Sequence, residues 1–541
     1  MQVQVLFPAL YRKGGCDEGY SAMKRIVAFV AALCLASGPA YAADAVRPNI
    51  VVIMADDLGF SDLGCYGSEI ATPTLDRLAA GGLRFTQFYN AARCCPTRAA
   101  LLTGLYPHQV GMGHLEDDFS KPAYRGFLND RCVTIAEVLR PHGYRTLMAG
   151  KWNVGAARPH WPVDRGFERF FGSLRSATDY FDPRVGPRKD HSPFALDDQP
   201  FTSFGEEFYA TDAFTDHAVR WIEESAGKTP FFLYAAYTAP HSPLQAWPDD
   251  IAKYLGKYRE GWDVLRQRRR ARMIESSLLA AATPLSPRDR RVPAWSEVND
   301  QDFQDLKMAV YAAQIERMDR GIGRITAALE RKGALDDTLI LFLSDNGGDG
   351  EPEGSTDVPP GPKGSSHIYG RPWAQLSNTP FRGYKHETLE GGIATPLIAH
   401  WPSIIRTAGI THEPGHVIDV MATCLEAAGV AYPQIHEGRA VLPMEGKSLV
   451  PVFRTGQRAP HDALFWEHEG NRAVRQGHWK LVGMHAGPWQ LFDLAVDRAE
   501  MNDLSATNRE TVEELVARYD AWARRCGVVP WTEIAPKGKE R

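Results

Sequence analysis

Four short runs of this chain are apolar along most of their length: Asn49–Ala55 (NIVVIMA), Tyr144–Gly150 (YRTLMAG), Phe231–Tyr237 (FFLYAAY) and Thr338–Ser344 (TLILFLS). A strand wetted on one face alternates polar and apolar residues; a nearly continuous apolar run is covered on both faces, as in a parallel sheet sandwiched by helices. Helix signals lie between the runs. Thr72-Pro73 offers an N-cap and a proline at the first helical position, and TLDRLAA stops at Gly81-Gly82. Further helices are expected near Thr134–Arg140, over Asp212–Glu224 and over Phe303–Lys332, with a turn at Gly143. This alternation predicts an α/β fold: a large, doubly wound, mostly parallel sheet flanked by helices.

In such sheets ligands sit at the carboxyl ends of the strands. There the first run gives Asp56-Asp57, the second Lys151-Trp152-Asn153, the third His241 and the fourth Asp345-Asn346. Asp56, Asp57, Asp345 and Asn346 make an oxygen-only donor set, which suits a hard cation, Ca²⁺ or Mg²⁺, better than Zn²⁺. Arg98, Lys151, His241 and Lys385 add cationic and proton-donating groups. Lys385 lies in FRGYKHETLEGG, just before another apolar run, IATPLIAHW. Together they point to a tetrahedral anion bound beside a divalent cation.

Two segments interrupt the alternation. Lys253–Pro293 carries RQRRRARM, expected as a solvated helix face, and Gly347–Asn378 is a long Gly-, Pro- and Ser-rich loop whose Tyr369 and Trp373 are candidates for lining a pocket. Beyond about Val430 the alternation fades. Leu464–Val482 reads as two strands joined by a turn, WQLFDLAVD as another, and Glu510–Cys526 as an amphipathic helix, so a smaller C-terminal part with an antiparallel sheet and a helix is expected over 435–541. The main α/β domain then covers 43–434. From Met23, Lys24-Arg25, the apolar Ile26–Leu35 and Ala40-Tyr41-Ala42 read as a secretory signal spanning 1–42, with Met23 as the initiator. A periplasmic or secreted protein is expected. The net charge of −5 offers no basic surface for nucleic acid, and no other stretch is apolar enough to span a membrane. Eight cysteines in 541 residues do not form a disulfide scaffold. No feature sets an oligomeric state.

Cys94 and Cys95 are adjacent, and a disulfide between neighbours is strained. Their context, Cys94-Cys95-Pro96-Thr97-Arg98 followed by Leu101-Leu102-Thr103-Gly104, resembles the C-x-P-x-R signature of the type I, arylsulfatase-like sulfatases of the alkaline phosphatase superfamily. ADDLG, GKW, TAPHSP, SDNGG and GYK ahead of EGG resemble the same family's motifs, in the same order, and LFDLAVDRAEMNDLS resembles its C-terminal sheet region. The likeness runs from about Asn49 to about Leu504, with both interruptions unmatched. It implies a sulfuric ester hydrolase in which Cys94 is oxidised to formylglycine by a formylglycine-generating enzyme, Cys95 filling the variable position. It further implies that Asp56, Asp57, Asp345, Asn346 and the modified Cys94 hold Ca²⁺, and that Arg98, Lys151, His241 and Lys385 hold sulfate. The hydrated aldehyde attacks sulfur with Asp345 as base, His241 protonates the leaving alcohol, and a covalent sulfate hemiacetal collapses to sulfate. The substrate is a sulfated small molecule or carbohydrate.

One position departs from the family pattern. Asn153 stands where the resemblance implies a histidine that helps the second step, and an amide is no base near neutral pH. His386 or His114 takes over that role, or the second step is slow, or the protein has drifted from catalysis to binding a sulfate ester. A phosphonate or phosphate ester hydrolase of the same superfamily is the other alternative. Those enzymes resemble one another in having Asp-His where this chain has Asp345-Asn346, which favours sulfate esters here.

Overall fold

All four apolar runs become neighbouring strands. A computed structural model describes residues 47–185, 193–352 and 357–534, so the expected signal segment lies outside the described residues. The main sheet is built from β1 (Asn49–Asp56), β2 (Leu83–Tyr89), β3 (Arg145–Gly150), β4 (Arg169–Ser173), β5 (Phe194–Leu196), β6 (Gln199–Phe201), β7 (Phe231–Pro240), β8 (Thr338–Ser344), β9 (Ala394–His400), β10 (Gly409–Thr411) and β11 (Gly415–His416). Its order is β10-β2-β9-β8-β1-β7-β3-β4-β5-β6, with β11 also paired to β2. The core strands β8, β1, β7 and β3 are mutually parallel. Every residue of β1, β7 and β8 is buried.

Register sets where the site forms. Ala236 pairs with both Met54 and Gly150, and Met54 pairs with Leu343, so three strands finish in one row across the sheet while β7 runs on toward His241. Asp56-Asp57, Lys151 and Asp345-Asn346 follow directly. IATPLIAHW forms β9, which runs antiparallel to both β8 and β2. The amino end of β9 therefore lies beside the carboxyl ends of its neighbours, and the segment carrying Lys385 enters the site from the opposite chain direction.

The expected helices form at Pro73–Ala80, Ile135–Leu139, Ala210–Ser225 and Gln301–Arg331. The second starts with a reciprocal box: the Thr134 N–H donates to Glu137 at 2.7 Å and the Glu137 N–H to the Thr134 hydroxyl at 3.1 Å. Thr72 does not cap the first. Its hydroxyl accepts from the Gly64 N–H and donates to Asp76, which fixes the preceding loop instead.

Three expectations are corrected. RQRRRARM lies on the helix Gly261–Glu275, but that helix is not simply a solvated face. Arg269 is fully buried, donating to Asp62 at 2.7 Å and, through two nitrogens, to Glu69, while Arg266 donates to Ser286. Tyr369 and Trp373 are buried in aromatic contacts rather than displayed on an open loop. Tyr369 stacks on Tyr311 with ring centroids 4.3 Å apart, and Trp373 is sealed among Tyr258, Trp262 and Trp295. Leu464–Val482 holds parts of three strands rather than two, Leu464–His468, Asn471–Gln476 and Trp479–Gly483, because the chain turns at both Gly470 and Gly477, whose φ values of 79° and 58° are left-handed. With Trp489–Asp493 these make a four-stranded antiparallel sheet, followed by the helix Arg509–Cys526.

This C-terminal sheet shares its hydrophobic core with the large one through Trp466, Val474, Leu481 and Leu491. A buried charge network reinforces the junction. Glu390, just ahead of β9, accepts from Lys480 and Arg498, each at 2.9 Å, and its own N–H donates to Glu500. Burial would raise the Glu390 carboxyl, but Lys480, Arg498 and Arg475 hold it down at about 2.

The Arg269 cluster gives a stability test. Removing one member of a buried ion pair strands its partner and costs about 3–5 kcal/mol. Arg269→Ala should lower the thermal midpoint by several degrees, whereas Arg268→Ala, which removes an exposed partner of Glu260, should shift it by no more than about a degree. Equal shifts in parallel melts of the two variants would contradict the assignment of Arg269 as a buried strut.

Candidate active site

The polar residues at the sheet edge converge as expected. Asp56, Asp57, Cys94 and His241 are all buried, and one donor atom from each lies within 4.8 Å of all the others. Lys151 donates to Asp56 Oδ2 at 2.7 Å and Lys385 to Asp57 Oδ2 at 2.8 Å. Arg98 forks onto Asp345 Oδ2 at 3.1 and 2.7 Å, donates to the Lys151 carbonyl at 3.0 Å, and comes within 3.6 Å of Asp56. Asn346 donates to Asp57 Oδ1 at 2.6 Å.

Cys94 is the first residue of a wholly buried helix, Cys94–Thr103, which therefore begins at the signature itself rather than at the following apolar run. Arg93 before it has an extended backbone, and the Thr97 hydroxyl accepts from the Ala91 N–H at 2.8 Å, so the turn into the helix is pinned. Burial pushes the Cys94 thiol up, against the pull of Lys151 and Lys385. Four non-glycine residues around the site have left-handed φ: Asp57 (65°), Ala92 (63°), Asn153 (60°) and His386 (78°). Such conformations cost about 1–3 kcal/mol apiece and persist where the surroundings over-determine them.

Electrostatically the site is short of one cation. Burial would raise Asp56, yet Lys151, His241, Arg98 and Lys385 hold it far below the usual carboxylate range. Asp57 is likewise held down, by His241 and Lys385 against its burial. Asp345 is pushed up to about 7 by burial and by Asp56, with which it shares Arg98. Two acceptors, Asp56 Oδ1 and Asn346 Oδ1, are buried with no hydrogen-bond donor among the described residues. Buried oxygens without donors are expensive unless a cation takes them. The orphaned atoms belong to the hard, all-oxygen set, so these residues fit a divalent metal of the Ca²⁺ or Mg²⁺ kind.

His241 has a fixed tautomer. Its Nδ1 lies 2.6 Å from the Ser242 carbonyl, which can only accept, so Nδ1 carries the hydrogen. Nε2 therefore faces Lys385 Nζ and Asp57 Oδ2, each at 3.4 Å, with its lone pair free when the ring is neutral. Burial pushes the ring down to about 4, with Lys385 adding to the effect and Asp57 opposing it.

Asn153 does not stand alone. Its amide donates to Glu116 Oε2 at 2.9 Å, and burial raises that carboxyl to about 7 against the lowering influence of Arg175 and Asn153. The suggested stand-ins for the absent histidine are engaged elsewhere: His114 Nε2 pairs with Glu469 at 2.9 Å, and His386 pairs with Glu351 at 2.9 Å. Sequence reasoning missed Glu116, which no motif flags, and Asp349, which lies 3.6 Å from Lys385 Nζ and follows directly on the SDNGG motif.

A model of the family described as Sulfatase matches residues 48–430, and one described as N-sulphoglucosamine sulphohydrolase, C-terminal, matches 384–521. An uncharacterized sulfatase of Schizosaccharomyces pombe is 34% identical over 532 residues, covering 90% of this chain and 95% of the relative. An arylsulfatase of Klebsiella aerogenes is 34% identical over 450 residues, covering 79% and 97%. The solved structure of Ps i-CgsB in complex with k-i-k-neocarrahexaose superimposes with a TM-score of 0.66 at 27% identity, covering 88% of this chain and 93% of that one.

Glu116 makes stability depend on pH in a stated direction. Its carboxyl is raised from an ordinary 4.5 to about 7, so the folded state holds this proton more tightly than the unfolded one. The contribution is complete below about pH 4.5 and is lost as pH rises through 7. Glu116→Gln, which keeps an acceptor for Asn153, should gain stability over the parent at pH 8 and lose that advantage at pH 4.5. Melting curves at the two pH values measure the difference.

Proposed function

Since the chain belongs to the sulfatase family and is a sulfuric ester hydrolase, we propose that Cys94 is the precursor of its nucleophile and that the Asp56 cluster holds Ca²⁺, with Mg²⁺ as the alternative. The observation that carries this reading is the placement of Cys94 at a helix start, under the pull of Lys151 and Lys385 and beside Asp56 and Asp57, with the Asp56 and Asn346 oxygens left without donors among the described residues. The residue present is the unmodified cysteine. Converted to formylglycine and hydrated, it supplies a hydroxyl nucleophile to sulfur, and the cation at Asp56, Asp57, Asp345 and Asn346 supplies Lewis acidity at the sulfuryl oxygens.

The remaining work falls to side chains whose positions are fixed. Lys151, Lys385 and Arg98 set positive charge around the anion before it arrives, the preorganised electrostatics that usually dominate such rate enhancements. Asp345, gripped by Arg98 at the same edge as Cys94, is the carboxylate assigned as the base. His241 Nε2 is aimed into the site with its tautomer set by Ser242, and an entering sulfate-ester anion would oppose the burial that keeps the ring neutral. His241 is thereby placed to give a proton to the departing alcohol. Glu116, joined to Asn153, brings a carboxyl of near-neutral affinity to the position the family fills with histidine.

The substrate is a sulfate monoester of a small molecule or a carbohydrate. The neocarrahexaose complex of the Ps i-CgsB relative supports the carbohydrate class. A formylglycine-generating enzyme is the partner that maturation of Cys94 requires. The signal-like segment from Met23 to Ala42 supports a periplasmic or secreted location, and no described helix is long and apolar enough to cross a membrane.

Two measurements test this. In a host that matures other sulfatases, the peptide containing Cys94 should weigh about 18 Da less than its unmodified mass, one oxygen replacing sulfur and two hydrogens. The same preparation should turn over an aryl sulfate far faster than an aryl phosphonate. An unmodified Cys94 in active protein would defeat the proposal. Separately, His241→Asn should cut kcat/KM by about 10²–10⁴ for an alkyl sulfate with a poor leaving group, but by less than about tenfold for an activated aryl sulfate. Equal losses on both substrates would remove His241 from the proton-donor role.

A further inference from the structure

We propose that His114, His468 and Glu469, with His386 beside them, form a second metal site, one that takes a borderline cation of the Zn²⁺ class. One donor atom each from His114, His468 and Glu469 lies within 4.8 Å of the other two. Glu469 Oε1 is 2.9 Å from His114 Nε2 and 3.8 Å from His468 Nε2, while Glu469 Oε2 is 3.3 Å from His386 Nδ1. Imidazoles with one carboxylate are the donors such a cation prefers, in contrast to the all-oxygen set around Asp56.

His468 is the independent sign of a missing ligand. Its side chain is fully buried, and neither ring nitrogen has a hydrogen-bond partner among the described residues. Leaving both nitrogens of a buried imidazole unmatched is costly, and each such group calls for an explanation. A metal ion at Glu469 provides one. Burial, reinforced by His114, His386 and Arg93 against the pull of Glu469, holds the ring neutral, the form that binds a metal.

The surroundings fit a ligand set. His386 Nε2 pairs with Glu351 at 2.9 Å, which turns Nδ1 toward Glu469 in the manner of a carboxylate that orients a metal-binding histidine. Arg93 also faces His386 and pairs with Glu351, so its charge is already taken up there. Trp531 and Phe119 pack on the His114 ring, with centroids 5.0 and 5.4 Å away, and limit water access.

The location gives the site a purpose. His386 follows Lys385, and its N–H donates to the carbonyl of Ala92, two residues before Cys94. Asn471, on the hairpin that carries His468 and Glu469, donates to the His386 carbonyl. A cation here would tie the C-terminal hairpin to both loops that frame the active site. His114 and His386 then serve as ligands rather than as substitute bases.

The test uses the full-length protein, stripped with a chelator and refilled with excess Ca²⁺ to occupy the hard site. Zn²⁺ should then bind at about one equivalent per chain by elemental analysis, and Co²⁺ should give the visible absorption of a site with few ligands of nitrogen and oxygen type. His468→Ala and His114→Gln should each weaken Zn²⁺ binding at least tenfold, while Asp57→Asn should retain the zinc equivalent. A parent protein that takes up no zinc and gives no Co²⁺ bands overturns the proposal, whatever the variants do. So does zinc that survives His468→Ala but is lost in Asp57→Asn, since it would then occupy the other cluster.

Discussion

Three buried pairs hold this molecule's chemistry in place: Lys151 with Asp56, Arg98 with Asp345 and Lys385 with Asp57. Each joins segments far apart in sequence, and each member would be prohibitively costly alone in a dry sheet edge. The loops leaving the strands are therefore not free to settle independently. They close together or leave charge stranded, which is how four left-handed non-glycine conformations are tolerated within one small region. The pairing is also incomplete in an informative way. Among the described residues two oxygens remain without donors, and one carboxylate sharing Arg98 is pushed toward neutrality, so the cluster has room for one more positive charge.

Topology makes that closure achievable. Parallel strands alone deliver only the residues that follow each strand. Because β9 runs the other way, the segment preceding it reaches the same edge, and Lys385 meets Asp57 from the side opposite Lys151. The candidate site is thus ringed by cations drawn from three different chain directions: a helix start, a strand exit and a strand entrance.

Much of this was legible in the sequence, for physical reasons that also mark its limits. The buried strands announce themselves because a residue pattern covered on both faces has no polar alternation, and all four formed adjacent parallel neighbours. The site residues were visible because polar groups directly after such strands have few bland roles. What stayed hidden depends on long-range pairing. Arg269 reads as solvent-facing within RQRRRARM, and only the approach of Asp62 and Glu69 buries it. Trp373 sits in a loop-like stretch, and it is enclosed by Tyr258 and Trp262 of the insert and by Trp295 just beyond it. Glu116 carries no motif, because its affinity for a proton comes from enclosure, against the opposing pull of Arg175 and the Asn153 amide, rather than from its neighbours in sequence. The turn at Gly477 was missed because one glycine beside a strand does not by itself announce a reversal.

The junction between the two sheets has a consequence for how the protein is made. Trp466 donates to the carbonyl of Asn90, just ahead of the signature, and Lys480 and Arg498 neutralise Glu390 at the entrance to β9. A ribosome delivers Asp56, Cys94, Lys151, His241, Asp345 and Lys385 long before it delivers those anchors. The nascent chain thus holds these candidate-site residues while Glu390 is still without its cations and the Asn90 carbonyl without its donor. The C-terminal sheet thus supplies, only after every one of those residues has been made, the donor and the cations that the two ends of the site region require.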